Sequence, residues 1–139
     1  MIDRGRSVVI ADLTRGEMGT RGTPEIRAQE AAEAAALLGA KDRINLDMGD
    51  GVLEDTLENR AKLIEVIRRY RPTVVLVHHW EDLHPDHSVA GRMAANIMYP
   101  VGFEKHNAGG EPYRPNAFMF YKGHIPFEPS FIVDTSGYF

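Results

Sequence analysis

Residues 73–77 (TVVLV) form a short apolar run dominated by β-branched side chains, and the run ends in His78-His79-Trp80-Glu81-Asp82. A continuous apolar run of this length suits a strand buried on both faces, because a half-exposed strand would alternate apolar and polar residues. A strand buried on both faces needs helices above and below it. This one run therefore restricts the chain to α/β architectures, and the flanking sequence supplies the helices.

Residues 7–13 (SVVIADL) read as another buried strand, followed by a glycine-punctuated loop over 14–22. Thr23-Pro24-Glu25 opens a helix: threonine caps it, proline suits its first position, and an early glutamate complements its positive end. That helix runs through an alanine-rich stretch to Leu38 and stops at Gly39. Residues 42–48 read as a strand leading into the turn Gly49-Asp50-Gly51. Residues 56–70 form a second helix, with Leu63, Val66, Ile67 and Tyr70 on one face and Arg68 and Arg69 at its C-terminal end. Pro72 separates it from a strand over 73–79.

A third helix is expected over 88–98, with Val89, Met93 and Ile97 on one side. Residues 102–115 read as an irregular connection, and 116–121 and 131–134 as two further strands. Strands alternating with helices imply a mostly parallel sheet covered on both faces. Only six residues precede the first strand, so the first βαβ unit lacks an opening strand. Residues 135–139 carry no evident terminating element. The chain is expected to be an internal fragment of a longer protein.

A length of 139 residues suits one domain, taken as a single truncated domain over 1–139. Lys+Arg 16 against Asp+Glu 20 gives a net charge of −4, without the clustered basic surface that nucleic-acid binding needs. There is no cysteine, which excludes disulfides and thiolate metal sites. No apolar run is long enough to span a membrane, and no secretory h-region is present. The expected location is the cytoplasm, with no nucleic-acid or membrane partner.

The chemistry concentrates in His84-Pro85-Asp86-His87, just past the 73–79 strand. Ligands of open α/β sheets bind outside the carboxyl ends of the strands. The two imidazoles could share one metal, or divide the work between a ligand and an acid-base group. Pro85 stiffens the turn, and Asp86 could orient a neighbouring imidazole. His78 and His79 point to opposite faces of a strand, so only one can reach the same site. A catalytic zinc typically has three protein ligands, and this segment offers at most two. His124, near Pro126 and Phe127 in a loop, reads as structural, and His79 and His78 read as strand-end residues that shape the pocket. Asp50 is equally a turn former, and Arg15, Glu17 and Arg27 are equally solvated surface residues.

Several motifs occur in order: Thr14-Arg15-Gly16-Glu17 followed by Gly19-Thr20; Thr23-Pro24-Glu25 with Arg27, Glu30 and Ala31; Leu46 with Gly49-Asp50-Gly51; and Trp80-Glu81-Asp82 with His84-Pro85-Asp86-His87. Together they resemble the zinc-dependent N-acetylglucosaminyl deacetylases of the PIG-L/LmbE-like superfamily. The resemblance is closest to the bacillithiol-biosynthesis branch, which removes acetate from N-acetylglucosaminyl-malate. It covers essentially the whole chain and implies a Rossmann-like three-layer sandwich lacking the family's first strand and C-terminal region.

The resemblance implies Zn2+ as the cofactor, with His87 as a metal ligand. It implies His84 as the histidine that stabilises the tetrahedral intermediate and assists amine departure, and Asp86 as the carboxylate that orients and tunes His84. Arg27 and Asp50 match substrate-contacting positions, with Arg15 and Glu17 at the same mouth. The implied partner is a small sugar conjugate, and the full-length family member is expected to be a homo-oligomer. Deacetylation of another glycoconjugate, or a catalytically inactive α/β binding module, are the alternatives. The family's other two zinc ligands and its general base belong to a His-Pro-Asp-Asp-type motif, which this sequence lacks upstream of Ser7; the only acid there is Asp3. Residues 1–6 resemble the end of the family's first helix. Leu83 stands where the bacillithiol branch often carries arginine.

Overall fold

A computed structural model describes residues 2–138 of the chain. It is a mixed α/β fold whose regular elements follow the order β1 (Val9–Asp12), α1 (Pro24–Leu38), β2 (Asp42–Asn45), α2 (Leu57–Tyr70), β3 (Val74–His78), α3 (Pro85–Ile97) and β4 (Ala117–Tyr121). The expected helix end over 1–6 is a short 3-10 turn at Ile2–Arg4, with Met1 and the Asp3 side chain outside what is described. Each of the four strands is shorter than the span expected for it, because ladder pairing ends before the expected span does.

The helix termini follow from local chemistry. Thr23 accepts a hydrogen bond from the Ile26 amide at 3.3 Å, Pro24 takes the first helical position, and Gly39 closes α1 in the left-handed region at φ 69°. Thr56 caps α2 through the Asn59 amide at 3.1 Å. The third helix starts earlier than expected, at Pro85 rather than near residue 88. His84 is its N-cap, and the His84 Nδ1 accepts the Asp86 amide at 3.2 Å. Imidazole is an uncommon capping group, so the polar pattern around residue 88 outweighs it when only residue types are read.

Both strand pairs are parallel, as expected. β1 pairs β2 from Val9↔Asp42 to Asp12↔Asn45, and β3 pairs β4 from Val74↔Ala117 to His78↔Tyr121. Among the described residues β1 and β3 are not paired with each other. The expected strand over 131–134 does not form: these residues are irregular and exposed, Ile132 at 84%. The propensity of Phe131, Ile132 and Val133 is for a pleated, half-buried surface, and no partner strand offers one here.

The core lies where α2 and α3 meet the β3–β4 pair. Ile64, Ile67, Ile97 and Val101 form one cluster, with Val75 and Phe118 against it, and Met48, Leu53, Ala90 and Met93 form a second beside Leu13 and Leu46. Each fully buried side chain contributes about 1.5–3 kcal/mol. Arg68 is 4% exposed and spends its guanidinium on backbone: it donates to the carbonyls of Val101, Phe103, Ala108 and Gly110 at 2.7–3.2 Å. It thereby pins an irregular loop to the end of α2. Arg68→Met would leave four carbonyls short of a donor, and a loss of about 3 kcal/mol is expected by urea unfolding.

Asp55 ties the start of α2 to α3. It accepts from Arg60 at 2.6 and 2.8 Å and from Asn96 at 2.7 Å. The Arg60 hydrogen bonds hold its carboxyl below the usual range, against the effect of burial. A depressed folded pKa stabilises the fold above the ordinary carboxylate value of about 3.9, and that contribution is lost as pH falls through the lower folded value. Asp55→Asn is therefore expected to cost about 1 kcal/mol at neutral pH. In unfolding series run toward acid, the difference from the parent should vanish.

Candidate active site

In register, His78 at the end of β3 faces Tyr121 at the end of β4. The two loops that follow leave the sheet side by side, and the first runs directly into α3. This places His78, His84, His87 and His124 together. The His87 ring is the centre: its centroid lies 4.0 Å from His78, 4.6 Å from His84 and 5.9 Å from His124, all stacked. The His84 and His87 expected to act together are thus adjacent, one capping α3 and the other in its first turn.

Asp82 organises this cluster. Its side chain is 1% exposed, yet it sits among donors: the His84 amide at 2.9 Å, the His124 amide at 3.0 Å and the His124 Nδ1 at 2.7 Å, with the His87 Nδ1 3.3 Å away but not hydrogen-bonded to it. Burial acts to raise its pKa, but the two amides and the His124 ring outweigh burial and hold the carboxyl far below the usual range. Ser88 fixes the backbone beneath it by accepting the Asp82 amide and donating to the Asp82 carbonyl. Gly123 is the space into which the carboxylate fits: any side chain at 123 would overlap it.

A second glycine sets the helix. A Cβ at Gly91 would lie 2.7 Å from the His78 carbonyl and from the Trp80 amide, so only glycine lets α3 approach the end of β3 this closely. His87 lies one turn before Gly91, and this approach brings its ring onto His78. Burial, followed by the neighbouring His87, lowers the His78 pKa. The Tyr121 hydroxyl is within 3.1 Å of the His78 ring nitrogens.

The Asp86 carboxylate does not take the place expected for it. It accepts the Gly51 amide at 2.7 Å and the Leu53 amide at 3.3 Å, while its own amide binds the His84 ring. Asp86 is buried, and a carboxylate next to two free amides satisfies them rather than a nearby exposed imidazole. Asp50 is also engaged with backbone, accepting the Met18 amide at 2.8 Å and the Thr14 hydroxyl at 3.4 Å. The Arg15 side chain pairs with Asp47 and the Glu17 carboxylate caps the Arg15 amide. Arg27 donates to the Arg21 carbonyl, with its guanidinium over Gly19. None of the hydrogen bonds of these four side chains reaches the histidine cluster. They shape the loop wall next to it.

Asp82 and His124 are the residues that sequence reasoning left out of the site, and His78, read as a strand-end residue shaping the pocket, lies against the His87 ring. Asp82 and His124 lie far apart in sequence, and only the β3–β4 pairing joins them. The spacing from His78 to Asp82 and from Tyr121 to His124 would have been the signal, once that pairing was known. His79 is structural: its Nδ1 accepts the Glu81 amide, and its ring packs between Trp80 and Phe127.

Asp82, His87 and His124 each offer one donor atom, and these atoms lie within 4.8 Å of one another. The His87 Nδ1 is buried without a hydrogen-bond partner. An orphaned imidazole nitrogen next to a carboxylate is the chemistry of a divalent metal site, so the residues fit the ion the family implies.

The family model described as PIG-L, GlcNAc-PI de-N-acetylase, matches residues 1–98. A diacetylchitobiose deacetylase of Thermococcus kodakarensis is 34% identical over 151 residues, covering 98% of this chain and 55% of that protein. A 4-oxalmesaconate hydratase of Pseudomonas putida is 27% identical over 134 residues, covering 96% and 51%. The crystal structure of a conserved protein from Thermus thermophilus superposes with a TM-score of 0.91 at 46% identity, covering 99% of this chain and 62% of that one. The chain thus spans about half the length of the curated relatives it matches.

The two glycines make the geometry testable. Gly91→Ala is expected to cost about 2 kcal/mol by overpacking, measured by chemical unfolding. It should also shift the His78 and His87 ring resonances, while a helix-surface change such as Arg92→Ala leaves them in place.

Proposed function

The chain belongs to the PIG-L family of de-N-acetylases, and on that premise we propose that it hydrolyses the N-acetyl group of an N-acetylglucosamine conjugate, releasing acetate and a free amine. The proposed substrate is N-acetylglucosaminyl-malate and the proposed cofactor Zn2+, with His87 as a ligand. The observation that carries this reading is the stacked His84–His87 pair at the start of α3, with a buried carboxylate against it. When bound, zinc supplies Lewis acidity that polarises the amide carbonyl and makes water a better nucleophile.

His84 derives its role from its capping geometry. Because Nδ1 accepts the Asp86 amide, the ring proton of the neutral imidazole sits on Nε2. The ring is exposed, so that Nε2–H is available as a hydrogen-bond donor to a developing oxyanion. Asp86 acts on His84 through its amide, and its carboxylate holds the residue 51–53 backbone against α3. Arg27, Asp50, Arg15 and Glu17 line the approach for the sugar and its substituent.

The two parallel strand pairs are read as parts of one Rossmann-like three-layer domain over 1–139. No helix among the described residues is long and apolar enough to cross a membrane. A cytoplasmic, homo-oligomeric enzyme without nucleic-acid partners fits this reading. Diacetylchitobiose and related glycoconjugates are the alternative substrates, supported by the deacetylase relative.

His84→Ala is expected to lower turnover by about 10²–10³-fold while leaving bound zinc in place, and His87→Ala to lose the zinc itself. Acetate release from N-acetylglucosaminyl-malate and diacetylchitobiose, with metal analysis of each variant, checks both. Full zinc retention in His87→Ala would overturn the ligand assignment. Hydration of an unsaturated dicarboxylate without acetate release would move the reading toward the hydratase relative.

A further inference from the structure

We propose that His124 is a substrate-contacting residue: held by Asp82, its ring presents Nε2 as the hydrogen-bond acceptor for the amide N–H of an acetamido group. The proposal rests on the deacetylase reading above and deepens it, by naming the residue that tells an acetamido group from an acetyl group without an N–H.

The first observation is the direction of the hydrogen bonds. The His124 Nδ1 lies 2.7 Å from the Asp82 Oδ1. An ionised carboxylate only accepts, so Nδ1 carries the proton, and in the neutral ring Nε2 is left as a bare lone pair. His84 is bonded the other way. Its Nδ1 accepts the Asp86 amide, which puts the ring proton on Nε2. Two imidazoles stacked on the same His87 ring thus present opposite groups, a donor from His84 and an acceptor from His124. An acetamido group is complementary to that pair, because its carbonyl oxygen accepts and its N–H donates.

The second observation is placement. The Asp82 side chain is 1% exposed, whereas the His124 side chain is 54% exposed. Nε2 lies on the far side of the ring from the buried carboxylate, so its lone pair is offered on the open side of the cluster. The third is fixation. The His124 amide donates to the other Asp82 oxygen at 3.0 Å, and that carboxylate fills the space a side chain at Gly123 would take. The backbone and the ring of one residue therefore grip one carboxylate, and the ring direction is set before a ligand arrives. A donor at His84 alone cannot separate an amide from any other carbonyl compound. A fixed acceptor can, since a ligand without the N–H leaves that acceptor unpaired.

The test uses the intact chain and two probes. One is methyl N-acetyl-β-glucosaminide, and the other is the ketone in which a methylene replaces its amide N–H. Nitrogen NMR of the imidazole rings in the parent is expected to show the His124 proton on Nδ1, and the Nε2 resonance should shift on adding the acetamido probe but not the ketone. The parent should bind the acetamido probe about fivefold more tightly than the ketone. In His124→Ala that preference should vanish with ketone affinity unchanged, circular dichroism verifying the fold. A His124 proton on Nε2 in the parent, or an undiminished preference in His124→Ala, overturns the proposal. Equal weakening of both probes also overturns it, since the ring would then only shape the loop. In each of these cases acetate release by the parent still upholds the deacetylase reading. A parent that binds neither probe overturns the proposal, and one that also releases no acetate sinks both.

Discussion

The site depends on one buried negative charge. A carboxylate with a 1% exposed side chain is costly unless every lone pair is met, and Asp82 meets that requirement with two backbone amides and the His124 ring. Those donors lie in two segments that are far apart in sequence. The His84 amide belongs to the cap of α3, and the His124 amide and ring to the loop after β4. Satisfying the charge therefore locks two loops and a helix start together, and the imidazoles are carried into place with the backbone. The two close glycine contacts are the geometric counterpart. Gly123 admits the carboxylate and Gly91 admits the helix, so the site is set by small residues that leave room as much as by polar residues that fill it.

The same device recurs in the loops alongside. Asp86 accepts amides of the 51–53 segment, and Asp50, just before that segment, accepts the Met18 amide of the loop after β1. Three loops at the carboxyl ends of three strands are thus linked in series by acidic side chains accepting backbone donors. Charge-assisted bonds of this kind are about twice as strong as neutral ones. The cation Arg68 does the converse elsewhere, offering donors to four carbonyls.

Legibility in the sequence followed the range of the interaction. The caps at Thr23 and Gly39 are decided within four residues and were readable as residue types. The strand cores were readable because burial on both faces leaves an apolar run. The start of α3 was misplaced because its cap is an imidazole, and the 131–134 strand because propensity says nothing about a partner edge. His84 and His87 were legible as a motif next to a strand end. Asp82 and His124 were not, because their contact exists only through the parallel register of β3 and β4. Asp86 shows the remaining gap: residue type identified an acid in the right turn, but only the positions of Gly51 and Leu53 decide what that acid binds.

The charge balance of the cluster also decides which ligand it suits. Burial and the adjacent His87 disfavour protonation of His78, since a second positive ring at 4.0 Å is poorly screened away from water. Asp82, by contrast, is held as the anion. The cluster therefore gathers imidazoles around a fixed carboxylate, and a cation would be attracted to that charge. Positive charge lies instead on the loop wall, where Arg15 and Arg27 are exposed. The fold in this way separates two kinds of group: electron-pair donors gather at the strand ends, and cations stay on the loops.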